Sequence, residues 1–280
     1  MTRAAVALRP NTRSKMKLFE DAWVLVTGAS SGLGEEFAKQ LAHRGANLIL
    51  TARSRDRIER MAQNLRQVAG VKVHAVALDL AADDGARRLC KAVDELVVEV
   101  RHLVNNAVFG KVGPFAALEA EREAEMVRVN AEALTALSAH FLPGMRRARS
   151  GGILNVASTA GHQPVPYMAT YAATKSYVIA FSLALATELE GSGVHVMALC
   201  PGPVPTGFQE RAGIDAAKLF RPAVMNANEI VEQALVAYAK GKTLFVPGAV
   251  NRAQTVIAKL LPRPLLSWGA VKAADRMGRR

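Results

Sequence analysis

Three polar side chains have types and spacing that could do chemistry: Ser158, Tyr171 thirteen residues later, and Lys175 four residues after that. The stretch behind Gly151 and Gly152 is apolar and β-branched and ends in Ala157 and Ser158, which predicts a buried strand over 152–158 with a hydroxyl at its carboxyl end. Open α/β sheets bind ligands at that end of their strands. From about Tyr167 the pattern turns helical, with Tyr171, Val178, Phe181, Leu185 and Leu189 at helical spacings and no interrupting proline. Residues i and i+4 of a helix are neighbours, about 5–6 Å apart at Cβ, so Tyr171 and Lys175 share a face. A free tyrosine titrates near pH ~10. An adjacent ammonium stabilises the phenolate and lowers that value, which makes Tyr171 a usable acid and base. A Tyr-x-x-x-Lys pair also arises by chance, so the surrounding elements carry the decision.

The amino-terminal third supplies a partner for such a site. Trp23-Val24-Leu25-Val26-Thr27 is a short apolar run, Gly28-Ala29-Ser30-Ser31-Gly32-Leu33-Gly34 is rich in glycine, and Phe37 and Leu41 begin a helical pattern. A strand, a glycine turn and a helix in that order let a phosphate approach the backbone at a helix amino terminus, where N–H groups are free and the dipole is favourable. The turn therefore predicts a bound dinucleotide pyrophosphate. The next expected strand, 46–52, runs into Arg53-Ser54-Arg55-Asp56-Arg57. An acidic residue there would suit an NAD ribose, whereas Arg53 suits the extra 2′-phosphate of NADP(H). The plainer alternative is that these residues simply open a solvated helix.

With these pieces in place, residues 20–250 resemble the short-chain dehydrogenase/reductase family. The matching residues are Thr27-Gly28-x3-Gly32-x-Gly34, Asp79, Asn105-Asn106-Ala107, Asn130, Ser158, Tyr171-x3-Lys175, and Pro201-Gly202 followed by Thr206. The resemblance implies Tyr171 as general acid/base, Lys175 as the residue that lowers its pKa and holds the nicotinamide ribose, and Ser158 as the group polarising the substrate. It implies that Asn130 keeps a water linked to Lys175. It further implies a cofactor site of Gly28, Ser30, Ser31, Gly32, Leu33, Gly34, Arg53, Asp79, Asn106, Tyr171, Lys175, Pro201, Gly202, Val204 and Thr206. Asp79 would meet the adenine, Asn106 the adenosine side and Thr206 the carboxamide. Taken singly, Asp79 reads as a turn residue, Asn130 as a polar spot on a helix and Thr206 as a loop hydroxyl. One position departs from the family, which usually places glycine where this chain has Val108. A β-branched residue enters positive φ only at high cost, so Val108 either keeps ordinary backbone geometry or narrows the pocket.

Expected strands near 22–27, 46–52, 71–78, 103–107, 152–158, 194–200 and 243–247 alternate with helical patterns, which predicts one α/β domain. Its fold class is a single-domain, Rossmann-like, doubly wound fold, a seven-stranded parallel sheet with helices on both faces. Cys90 and Cys200 lie far apart and suggest neither metal nor redox chemistry, and a reducing cytoplasm fits them.

The formal charge of +12 is concentrated at the ends: 1–17 carries +5, 251–280 carries +6, and the body between them +1. No basic stripe crosses the body, which speaks against nucleic acid as a partner. Three regions follow: a basic, disordered tail over 1–18, an NADP(H)-binding catalytic domain over 19–250, and a basic amphipathic extension over 251–280. The extension has helical patterns on both sides of Pro262, with Val256, Ile257, Leu260 and Leu261 before it and Leu266, Ala270, Ala273 and Met277 after it. Such a segment suits peripheral contact with an anionic membrane. Packing on a partner subunit or over the cleft suits it equally, and no run is long enough to span a bilayer.

By the resemblance, the segment 203–228 covers the substrate. It contains Val204, Phe208, Ile214, Leu219, Phe220, Val224 and Met225, and Val165, Pro166, Tyr167 and Met168 precede the tyrosine. These residues favour a small-molecule carbonyl or secondary alcohol on a hydrophobic body, although they could equally seal the loop. The resemblance also pairs subunits through helices around 116–147 and 167–190, giving a homodimer or homotetramer. Two functions stay open on sequence: an NADP(H)-dependent oxidoreductase, and a sensor or scaffold that binds NADPH without chemistry.

Overall fold

Seven short apolar runs, each bounded by polar turns, assemble into one parallel sheet. The computed structural model describes residues 18–205, 207, 212, 223–262 and 266. The strands are β1 Trp23–Thr27, β2 Asn47–Ala52, β3 Val73–Ala77, β4 Val100–Asn105, β5 Gly152–Val156, β6 His195–Leu199 and β7 Leu244–Phe245, in the order β3-β2-β1-β4-β5-β6-β7. All pairs are parallel. Parallel neighbours need long crossovers. The described helices are α1 Gly32–His43, α2 Arg55–Ala69, α3 Gly85–Asp94, α4 Ala120–Val127, α5 Ala133–Ala148, α6 Ala169–Glu188, α7 Ala227–Ala239 and α8 Ala249–Leu260.

Alternation along the strands divides the core between the two sheet faces. On one face Val24, Val26, Leu48 and Leu50 pack with Phe37 and Leu41 of α1 and with Ile230 and Leu235 of α7. On the other, Leu25, Ile49, Leu103 and Ile153 pack with Leu89 of α3 and with Leu137 and Phe141 of α5. Chain order reverses between β1 and β4. That reversal opens a crevice at the strands' carboxyl ends, where doubly wound sheets hold ligands.

Two boundaries differ from the sequence reading. β4 begins at Val100 rather than near 103, because Arg101 and His102 disguise the strand as a polar loop. His102 is nevertheless buried, with its Nδ1 3.0 Å from the Tyr238 hydroxyl. The helix carrying Tyr171 begins at Ala169 rather than near Tyr167, whose φ of 65° lies outside the helical region. At the other end of the chain, α8 is seated on the body. Asn251 is buried and donates from Nδ2 to the carbonyls of Ala223 at 3.0 Å and Pro247 at 3.2 Å. The tail 1–17, Thr206, Phe208, Ile214, Leu219, Phe220 and most of 263–280 lie outside the described residues.

Candidate active site

A cleft of about 680 Å³ lies at the carboxyl ends of the strands, across the β1–β4 switch. The turn after β1 forms one end of it. Gly28 and Gly32 have φ of 66° and 60°. A Cβ on Gly34 would collide with the Gly28 carbonyl and the Asn106 amide, so α1 can approach β1 this closely only with glycine there. Ser31 occupies the N-cap position of α1 without capping it, which leaves the first-turn N–H groups without a side-chain acceptor. This cradle fits a pyrophosphate. The Thr51 hydroxyl, buried in the cleft wall, also lacks a partner among the described residues.

Asn106 ties this turn to β4. Its Nδ2 donates to the carbonyls of Thr27 at 2.9 Å and Gly28 at 3.2 Å, while the Thr27 hydroxyl accepts from the backbone N–H groups of Asn106 and Ala107, each at 2.9 Å. The amide that the sequence assigned to the cofactor is thus committed to the backbone around it. Arg53, Ser54 and Arg57 are exposed on the cleft beyond β2, and neither arginine makes an ion pair among the described residues. Asp79 lines the cleft after β3 and accepts from the Ala81 N–H at 3.0 Å, so it is a turn residue as well as a wall residue.

At the other end, Ser158, Tyr171 and Lys175 come together as their spacing implied. Ser158 lies two residues beyond β5, begins the 3-10 turn Thr159–His162, and accepts from the Ala160 N–H at 3.1 Å. Tyr171 and Lys175 project from the first turns of α6, and the Lys175 Nζ donates to the Val156 carbonyl at 2.8 Å. Burial pushes the Tyr171 phenol up to about 12, offset only in part by its hydrogen bond with Ser158. Burial pulls Lys175 down to about 7. The lysine was expected to lower the tyrosine's pKa. Its Nζ lies 5.9 Å from the Tyr171 ring centroid, and desolvation by burial is the largest influence on both groups.

The Asn130 side chain is engaged with protein groups. It sits in a π-turn, Arg128–Glu132, between α4 and α5. Its Oδ1 accepts from the Phe109 N–H and its Nδ2 donates to the Phe109 carbonyl, both at 2.9 Å, and to the Thr174 hydroxyl at 3.1 Å. It therefore clamps the loop after β4 to the helix carrying Lys175. Val108, in that loop, is not among the residues with positive φ, and its side of the loop lines the cleft. The substitution for glycine is accommodated without backbone strain and adds an apolar wall.

Pro201, Gly202 and Val204 complete the cleft after β6. Phe109, Arg122, Glu125 and Val129 also line it, and the sequence reading missed them. The Arg122 guanidinium stands 5.9 Å from the Phe109 ring centroid. No motif spacing flags them, because Phe109 lies in the loop after β4, Arg122 and Glu125 on α4 and Val129 in the π-turn after it, and the fold alone brings them to one cleft.

A family model described as short chain dehydrogenase matches residues 22–216. An uncharacterized oxidoreductase of Bacillus subtilis, YvrD, is 36% identical over 65% of this chain and 68% of its own. A very-long-chain 3-oxoacyl-CoA reductase of Phaeosphaeria nodorum is 36% identical over 62% of this chain and 52% of its own. The chain thus spans about half to two-thirds of the length of these curated relatives. A solved short-chain dehydrogenase from Sphingobium yanoikuyae, in complex with NADPH, is 33% identical, covers 86% of this chain and 97% of its own, and superimposes with a TM-score of 0.76.

Proposed function

The chain belongs to the short-chain dehydrogenase family, and on that premise we propose that it is an NADP(H)-dependent oxidoreductase interconverting a carbonyl and a secondary alcohol on a hydrophobic substrate. One observation carries this reading: Ser158, Tyr171 and Lys175 line the same cleft as the glycine turn and Arg53. A bound NADPH supplies the hydride for such chemistry.

The residues that would hold the cofactor are Gly28, Ser30, Ser31, Gly32, Leu33 and Gly34 at the phosphates, and Arg53 at the 2′-phosphate. Asp79, Asn106, Pro201, Gly202 and Val204 stand along the rest of the cleft. Arg53 is the reason for preferring NADP(H), since a guanidinium suits a phosphate and repels nothing there. The relative from Sphingobium yanoikuyae, which binds NADPH, agrees with this preference.

Tyr171, held near 12, keeps its proton at neutral pH and presents it beside Ser158, whose hydroxyl polarises the same oxygen. This arrangement suits proton donation to a carbonyl being reduced. Lys175, near 7, exchanges a proton at neutral pH close to Tyr171. Asn130 acts as a positioning residue through Thr174 and Phe109. Val108, Phe109, Met168 and Val204 give the substrate side apolar walls, consistent with a hydrophobic ketone. Membership of an oxidoreductase family does not favour the sensor alternative.

Replacing Tyr171 with Phe keeps the ring and removes the proton. Turnover of a ketone panel graded in size and polarity, followed by NADPH absorbance with NADH beside it, should fall by about 10²–10⁴-fold in Tyr171→Phe, with NADPH affinity essentially unchanged. Full activity in that variant, or a preference for NADH in the parent enzyme, overturns the corresponding part of the reading.

A further inference from the structure

Helix α8 has two unlike sides. Asn251, Thr255 and Ala258 are buried against the body. Val250, Val256, Ile257, Leu260 and Leu261 are exposed, Leu260 by 79%. At 100° per residue, Val250, Ala253, Val256, Ile257 and Leu260 fall within an arc of about 120°. Arg252 and Lys259 sit along one edge of that arc, between the apolar and buried faces, and both are exposed. The helix contains no acidic residue, and the segment 251–280 carries seven basic side chains and one acidic.

A soluble face would spread such side chains singly among charges, whereas an apolar stripe with a basic edge is the pattern of a helix lying in a bilayer interface. We propose that this face of α8 docks on an anionic lipid bilayer. The apolar stripe enters the boundary between headgroups and chains, while Arg252 and Lys259 meet anionic headgroups. The charge of the segment selects this occupant over a second copy of the chain, whose own +6 segment would oppose a symmetric contact. The helix also packs against the turn Thr159–His162, which begins at Ser158, so docking here brings one wall of the cleft toward the membrane. The docking itself does not rest on the substrate reading.

Sedimentation of the full chain with vesicles tests it. Partition should be roughly thirtyfold stronger onto phosphatidylcholine vesicles containing phosphatidylserine than onto phosphatidylcholine alone, from the two basic residues at the edge of the face. The triple variant Val256→Asp, Ile257→Asp, Leu260→Asp changes only exposed positions, so its thermal unfolding should match the parent's while its partition is lost. Failure of the parent to bind, or unchanged binding in the triple variant, overturns the proposal. Binding that emerges only after deletion of 263–280 would show that the chain's own end covers the face, and a parent dimer that the triple variant dissociates would show that a second copy does. Either result also overturns it.

Discussion

Lys175 is the residue whose environment departs furthest from what its type suggests. It is 2% exposed, bonded to one carbonyl, and pulled down to about 7. An unfolded lysine titrates near ~10.4. Between those values the unfolded chain binds the additional proton, so stability rises with pH as this group loses its charge in the folded state. The buried thiols Cys90 and Cys200, raised to about 11 and about 12, act with the opposite sign once unfolded thiols ionise above pH ~8.5. His74, His102, His162 and His195, all lowered by burial, act with the same sign as the lysine while unfolded imidazoles titrate near pH ~6.5, so the lysine's contribution is read as the difference between parent and variant between about pH 7 and 8.5. Urea denaturation should show a midpoint that increases across this window in the parent and is flatter in Lys175→Met, whose side chain fills similar space without a charge. An equal slope in both would mean that Lys175 is charged when folded.

Among the elements, the join of α4 to α5 does the most to position the site. A π-turn inside a helix displaces one residue from the regular ladder, a device frequent at functional sites. Here it turns Asn130 onto the loop after β4 and toward α6. Asn130→Ala removes three hydrogen bonds of a buried side chain, one of them fully buried, at about 1 kcal/mol net each, and should lower stability by about 2–3 kcal/mol, measured by equilibrium urea unfolding. A loss below about 0.5 kcal/mol would mean that the clamp is replaced by solvent. A second buried link runs from Ser138 through Asn105 and Asn155 to Ser182, tying β4 and β5 to the helices on that side. Sequence showed a helical stretch around 116–147 and the chain order of the strands, but not the π-turn that divides α4 from α5. It did not show Asn130's partners, because a polar residue in a helical pattern looks the same whether it faces a substrate, solvent or another backbone.

At the scale of the whole molecule, the formal charge sits at the ends, and two of the surfaces that carry exposed apolar side chains bear on assembly. One is α8. The other carries Val127 at the end of α4, 45% exposed, and Tyr177 on α6, 42% exposed, with the Tyr177 hydroxyl 2.7 Å from that of Thr135 and its ring stacked on Phe181. These helices are the ones through which the resemblance pairs subunits. Light scattering should give a dimer or tetramer for the parent and a smaller species for Val127→Glu combined with Tyr177→Glu. A monomeric parent would remove this assignment.

The sequence by itself determined the parallel sheet, the glycine turn before α1 and the meeting of Ser158 with Tyr171 and Lys175. Each rests on local spacing: alternation for strands, i and i+4 for the helical pair, glycine where two backbones touch. Only the tertiary structure decided the desolvation of Tyr171 and Lys175, the side-chain partners of Asn130 and Asn106, and the ordinary backbone at Val108. These depend on how much water is excluded and on which distant groups arrive nearby, as when Phe109 and Thr174 close around Asn130, and neither quantity is written in the spacing of residues along the chain.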